Sequence, residues 1–181
     1  MSFAKELMTA AAPVWEKFMT HPFITGMIDG TLEKEKFAFY LMQDSQYLKD
    51  MGYTEDDAYK APTAPENREY LDYMLQVAKE GSVQEGLISI MACTFSYYHI
   101  ALHARTEAVK NGTYENNYFA AWMDDYVGEI YKGIYDRTAD MCDAITCGLS
   151  DAEKDRLKEI FIRSSEYELG FWDMAMRGPN A

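Results

Sequence analysis

Three features of the sequence predict an all-α fold. Apolar residues recur at helical spacing, and no run of strict alternation is long enough for a strand. Ser82-Val83-Gln84-Glu85 and Ser150-Asp151-Ala152-Glu153 both read as capping boxes, in which serine and glutamate each satisfy an orphan amide at a helix start. The 5 prolines and 11 glycines fall mostly where the periodicity lapses. At 181 residues the chain has room for one sizeable core, so residues 1–181 read as a single domain. Long helices with short connections make a multi-helix bundle with antiparallel neighbours.

The elements follow in order. A first helix covers about 2 to 19 and stops at Thr20-His21-Pro22, because the residue before proline is pushed out of the helical region. A second begins after Gly30 with Thr31 as N-cap, carries Phe37, Leu41, Asp44, Tyr47 and Leu48, and ends at Gly52. Residues 53 to 64 have room for a helical turn or two. Pro65 suits the first turn of a third helix, which ends near Gly81. A fourth, about 83 to 110, ends at Asn111-Gly112-Thr113. A fifth runs from roughly 115 to 146 with a bend near Gly128 or Gly133, and the last from the second capping box to about Met176.

Composition narrows the function. With 17 basic and 30 acidic residues, the net charge of −13 repels phosphate backbones and anionic membranes, which argues against a nucleic-acid partner. The first 18 residues carry Lys5, Glu6, Glu16 and Lys17 and lack the apolar core of a signal peptide. No stretch is expected to supply the roughly 20 apolar residues of a membrane span. The expectation is a cytoplasmic protein without a membrane partner. Its 3 cysteines form no C-x-x-C pair, so neither a disulfide framework nor a structural zinc site is expected.

The candidate chemistry begins with MACTFSYYHIALH, residues 91 to 103. Cys93, Tyr97, Ile100 and Ala104 fall within about 40° of one another on a helix, whereas His99 and His103 project about 120° and 80° from the thiol. A Cys–His dyad within this helix is disfavoured. The i,i+4 histidines have the spacing of a zinc pair, with Glu107 as a further acid, but Ile100, Ala101 and Leu102 between them favour surface or packing roles. Cys93 itself reads either as a nucleophile or as a small buried hydrophobe.

In the last helix Phe161, Ser165, Glu168, Phe171, Trp172 and Ala175 form one stripe, while Glu166 turns about 160° from Glu168. A carboxyl on that stripe either serves as a general acid favoured by desolvation or bonds a neighbouring tyrosine or backbone group. Asp44 and Tyr47 repeat the pattern in the second helix. The 14 tyrosines include Tyr70, Tyr97 and Tyr126 on inner faces, where a hydroxyl needs a partner. An inward thiol, two carboxylates and several phenols would suit a flat, neutral or cationic heteroaromatic.

These residues resemble the TenA/thiaminase II family of aminopyrimidine hydrolases. The resemblance rests on Trp15, His21-Pro22-Phe23, Asp29-Gly30-Thr31-Leu32 and Gln43-Asp44-Ser45-Gln46-Tyr47-Leu48. It continues at Tyr70, Cys93 to Tyr97, Trp122 to Tyr126, Ser165-Glu166-Tyr167-Glu168 and Phe171-Trp172-Asp173-Met174-Ala175. It implies a haem-oxygenase-like fold without haem and cleavage of an aminopyrimidine's methylene from ammonia or, in thiamin, from thiazole. It implies Cys93 as nucleophile and Glu168 as proton shuttle. Asp44 would hold the ring nitrogen and amine, with Tyr47, Tyr70, Tyr97 and Tyr126 completing the pocket. No metal or organic cofactor is implied, and a homo-oligomer, tetramer or dimer, is.

The chain departs from the family pattern at Ala92, Phe95 and His99, where proline, tryptophan and glutamate are common. The stretch from Tyr47 to Tyr70 is also shorter than usual by roughly a helix and its loops. Such an excision could open the site, change the substrate or disturb subunit contacts. With the second helix ending at Gly52 and the third starting at Pro65, both tyrosines would stay at similar heights, about five residues from the connection.

Overall fold

The computed structural model describes residues 2–44 and 62–178, with Asp44 by its backbone only. Among these residues there are eight helices and no strand. They are α1 (Phe3–Met19), α2 (Pro22–Asp29), α3 (Lys34–Asp44), α4 (Pro65–Glu80), α5 (Val83–Asn111), α6 (Ala120–Val127), α7 (Glu129–Ile145) and α8 (Asp151–Arg177).

Both capping boxes form as expected. Ser82 Oγ accepts from Glu85 N at 3.2 Å while Glu85 Oε2 accepts from Ser82 N at 2.6 Å, and Ser150 and Glu153 repeat the exchange at 3.3 and 2.8 Å. Arg156 on α8 reaches Glu85 on α5 at 3.3 Å, so these two helix starts lie at the same end of the bundle.

Three expectations about helix boundaries differ. Pro22 does more than end α1. It occupies the first turn of α2, where its missing N–H costs nothing, and His21 Nδ1 accepts from Phe23 N at 3.2 Å as the cap. Thr31 is not the cap of the next helix: its N–H and that of Leu32 bond back to Gly26 O at 2.8 and 3.0 Å, closing the end of α2 around Gly30 at φ 71°. The expected fifth helix is two. Residues 115–119 are turns with Asn116 at φ 62°, and Gly128 (ψ 162°) breaks the chain outright between α6 and α7. The expected end of the second helix at Gly52 lies outside the described residues.

Helix α5 is the axis. It packs most extensively against α8 and also touches α1, α2, α4, α6 and α7. By length and composition α5 has enough apolar character to cross a bilayer, contrary to the sequence expectation, but here that surface meets neighbouring helices. Helix α8 lies against α1, α2, α3, α4 and α5. Its stripe is buried as expected, from Phe161 and Ser165 through Glu168 to Ala175, and Glu166 is exposed. At the centre Trp172, fully buried, stacks on Tyr40 at 5.1 Å and 21°, and Trp122 Nε1 donates to the Tyr40 hydroxyl at 3.3 Å. Trp15 Nε1 donates to Ser165 Oγ at 3.1 Å, which satisfies two buried polar groups with one bond.

Candidate active site

A cavity of about 450 Å³ opens between α4, α5, α7 and α8, with the end of α3 beside it. Its two principal walls are set by a turn. Gly81 and Ser82 join α4 to α5 antiparallel, and Tyr70 and Cys93 each stand 11 residues from that turn, hence at the same height, about 17 Å along the helices. From α8, Glu168 and Phe171 reach the same space.

Cys93, Tyr70, Tyr97 and Glu168 therefore line one cavity, as the helical faces predicted. Their burial is unequal: Glu168 is 3 % exposed, Tyr97 3 % and Tyr70 7 %, whereas Cys93 is exposed. The thiol stands at the mouth and the carboxyl at the bottom, so the chamber is less enclosed than the sequence reading implied. Tyr126 sits one layer back, with its ring 5.1 Å from Tyr97 and 4.7 Å from Trp122. Tyr47 and the Asp44 carboxylate lie outside the described residues.

Tyr70 lies within electrostatic reach of both the thiol and the carboxyl. Burial, then the charges of Glu168 and Cys93, push its pKa well above the ordinary phenol value. Its hydroxyl lies within hydrogen-bonding influence of Glu168 yet completes no bond of normal geometry. A phenol held neutral beside a buried carboxyl can offer it a hydrogen bond but does not supply a negative charge. The ring is fixed from behind by Tyr167, stacked at 5.6 Å and 10°, over which the Arg163 guanidinium lies at 4.7 Å.

The sequence reading missed the polar clamp at the α3 end of the cavity. Gln43 Oε1 accepts from Ala64 N at 3.2 Å and from Asn67 Nδ2 at 3.1 Å, and Gln43 Nε2 donates to Pro62 O at 3.3 Å. Both Gln43 and Asn67 line the cavity. The signal was present in part, since Asn67 precedes Tyr70 by three residues and so shares its helix face. Glu168 is the sole charged side chain among the described lining residues.

The histidines face elsewhere. His99 is half-buried, pairs with the Tyr135 hydroxyl at 3.1 Å and lies 5.4 Å from Trp15, and burial lowers its pKa. Among the described residues no three histidine, cysteine or acidic side chains gather in a metal-binding group.

A sequence model of the TENA/THI-4/PQQC family matches residues 8–53 and 50–178. The chain belongs to this family. An aminopyrimidine aminohydrolase of Halalkalibacterium halodurans is 30% identical over 217 aligned positions, covering 97% of this chain and 96% of that protein. The aminopyrimidine aminohydrolase of Helicobacter pylori is 26% identical, covering 97% and 99%. Among solved structures, a TenA homologue from P. horikoshii superimposes with a TM-score of 0.85 at 26% identity, covering 98% of this chain and 100% of that one. The haem-oxygenase-like fold of this family is thus the fold found here. An alignment of 217 positions exceeds the 181 residues of this chain, so the H. halodurans protein carries residues that this TENA/THI-4/PQQC member lacks. The two matched stretches of the family model meet at 50–53.

Proposed function

We propose that this protein is a cofactor-independent hydrolase of thiamin salvage that converts an aminopyrimidine to hydroxymethylpyrimidine. It releases ammonia from aminomethylpyrimidine or thiazole from thiamin. The observation that carries this reading is the Cys93 thiol, the Tyr70 phenol and the buried Glu168 carboxyl on one cavity, with Tyr70 under the electrostatic influence of both others.

The pyrimidine lies against Tyr97 and Phe171; Asp44 is assigned to its ring nitrogen and amine, with Tyr47 among the tyrosines that complete the pocket. Glu168 takes the thiol proton as the Cys93 sulfur bonds to the methylene carbon, and the carbon–nitrogen bond breaks with its electron pair on nitrogen. Glu168 passes that proton to a leaving amine, whereas thiazole departs neutral without one and the proton is lost to water. Water then displaces the sulfur: Glu168 accepts one of its protons and hands it to the departing thiolate, which restores the thiol. Tyr70 steadies the carboxyl through this exchange.

Cys93→Ser and Glu168→Gln each lower turnover by more than about 100-fold, with the helical circular dichroism unchanged. Full activity in either variant refutes the assigned roles. The exposure of Cys93 favours one second reading, a pyrimidine-binding protein that turns its ligand over weakly or not at all. Calorimetry that shows binding, with neither ammonia nor thiazole released, selects it.

A further inference from the structure

Two consecutive residues of α8 engage the two ends of one phenol. Tyr167 and Glu168 project about 100° apart, and Tyr70 from α4 meets both. Its ring stacks on Tyr167 at 5.6 Å and 10°, while its hydroxyl lies under the influence of the Glu168 carboxyl. That hydroxyl is buried and completes no bond of normal geometry, so ring packing rather than a polar anchor fixes where it sits. Tyr167 is held in turn. The Arg163 guanidinium lies over its ring at 4.7 Å, Arg163 Nη2 donates to its hydroxyl at 3.4 Å, and Nη1 donates to Glu166 at 2.8 Å. Tyr73 of α4 adds a tilted ring contact to Tyr167 at 5.1 Å. Exposure falls along the series, from Arg163 at the surface through half-buried Tyr167 to buried Tyr70 and Glu168.

We infer that Tyr167, braced by Arg163, is a positioning residue that sets the Tyr70 phenol at Glu168 and so governs that acid from outside the cavity. Neither Tyr167 nor Arg163 is among the residues that line the cavity, so both act through Tyr70. A neutral phenol beside a carboxylate favours the ionised form, and a ring free to tilt withdraws that support. Small displacements matter here, because a misplacement of about 1 Å in a catalytic constellation can cost about 100-fold in rate. The inference rests on the proposed function for its effect on turnover, but not for its effect on the carboxyl. Among the described residues, the other titratable groups on the cavity wall are Cys93 and Tyr97 of α5, and the test leaves both in place.

The test follows the ionisation of Glu168 directly, by nuclear magnetic resonance of protein carrying isotope-labelled glutamate Cδ, with the Glu168 signal identified by its absence from Glu168→Gln. Tyr167→Leu is expected to raise the pH midpoint of that signal by about half a pH unit, roughly a threefold change in proton affinity. Tyr167→Phe keeps the stacked ring and leaves the midpoint where it was. In a Tyr70→Phe background Tyr167→Leu moves the midpoint no further, an outcome that general loosening of the core would not give. Arg163→Lys, at an exposed position, keeps the charge and loses the planar contact, and it shifts the midpoint in the same direction by less. A midpoint that Tyr167→Leu leaves in place, or moves equally with and without the Tyr70 hydroxyl, overturns the inference. Where the leucine variant does not fold, the same two outcomes are read from Arg163→Lys. Hydrolysis is followed separately, and the pH profile of kcat should move with the midpoint while KM changes little. A midpoint that moves as expected in a protein without hydrolytic activity removes the proposed reaction and leaves the brace standing.

Discussion

Cys142 and Cys93 are the same residue in opposite settings. Cys142 is fully buried, and burial pushes its thiol from 9.0 up to about 12, whereas Cys93 stands at a cavity mouth. A folded-state pKa raised above the unfolded one means that the folded chain holds its proton longer. The contribution is complete below pH 9 and is lost as pH rises from about 9 to 12. Urea midpoints should therefore fall across that window, and Cys142→Ala should make the decline shallower. Tyr70, raised by burial and by Glu168, adds a decline of the same sign above pH 10 that the cysteine variant retains. An equal slope in both proteins would remove Cys142 from the account. The distinction between the two cysteines was only half legible in the sequence. Helical angles put Cys93 and Glu168 on the right faces, but the depth of each depends on helix ends and neighbours that periodicity does not encode. Gln43 escaped notice as an anchor for the same reason, since its partners lie 19 to 24 residues away.

At the scale of elements, that anchor decides where α4 stands. The Gln43 amide uses both its oxygen and its nitrogen on residues 62 to 67, and this joins the end of α3 to the start of the helix that carries Tyr70. Gln43→Leu leaves the Ala64 N–H and the Asn67 amide without that acceptor. It should cost roughly 1–3 kcal/mol and raise the KM for the pyrimidine substrate more than it lowers kcat. Denaturant midpoints and steady-state kinetics test this, and an unchanged KM would show that the clamp does not position the site. The arginine–carboxylate pair of Arg177 with Glu66 ties α4 to the end of α8 as well. Helices opened by serine–glutamate capping boxes were read to within a residue, because the signal is local and self-contained. Helix α2 was not, because its cap is a histidine and its first residue a proline that also ends α1. Pro13 stands inside α1 without ending it, on an exposed face where water can reach the unpaired Thr9 carbonyl.

For the whole molecule, charge and core act against each other. Ion pairs such as Lys132–Asp136 and Arg163–Glu166 sit on exposed faces and contribute little individually, and 30 acidic residues outnumber 17 basic ones. Self-repulsion should therefore weaken the fold at low ionic strength. Raising salt from about 20 to about 300 mM should raise the Tm by a few degrees, whereas a fall would show that the surface pairs dominate. The fold class was legible because it follows from periodicity summed over long helices. The unequal burial of Cys93 and Glu168 was not, because it depends on how neighbouring helices pack around each position.

The placement of α8 bears on synthesis as well as on chemistry. It is the last described helix, yet it touches five others and brings the carboxyl to a thiol 75 residues upstream. A chain that stops before α8 has neither Glu168 nor the helix that packs on α4 and α5, so the proposed site is assembled only once α8 has been made.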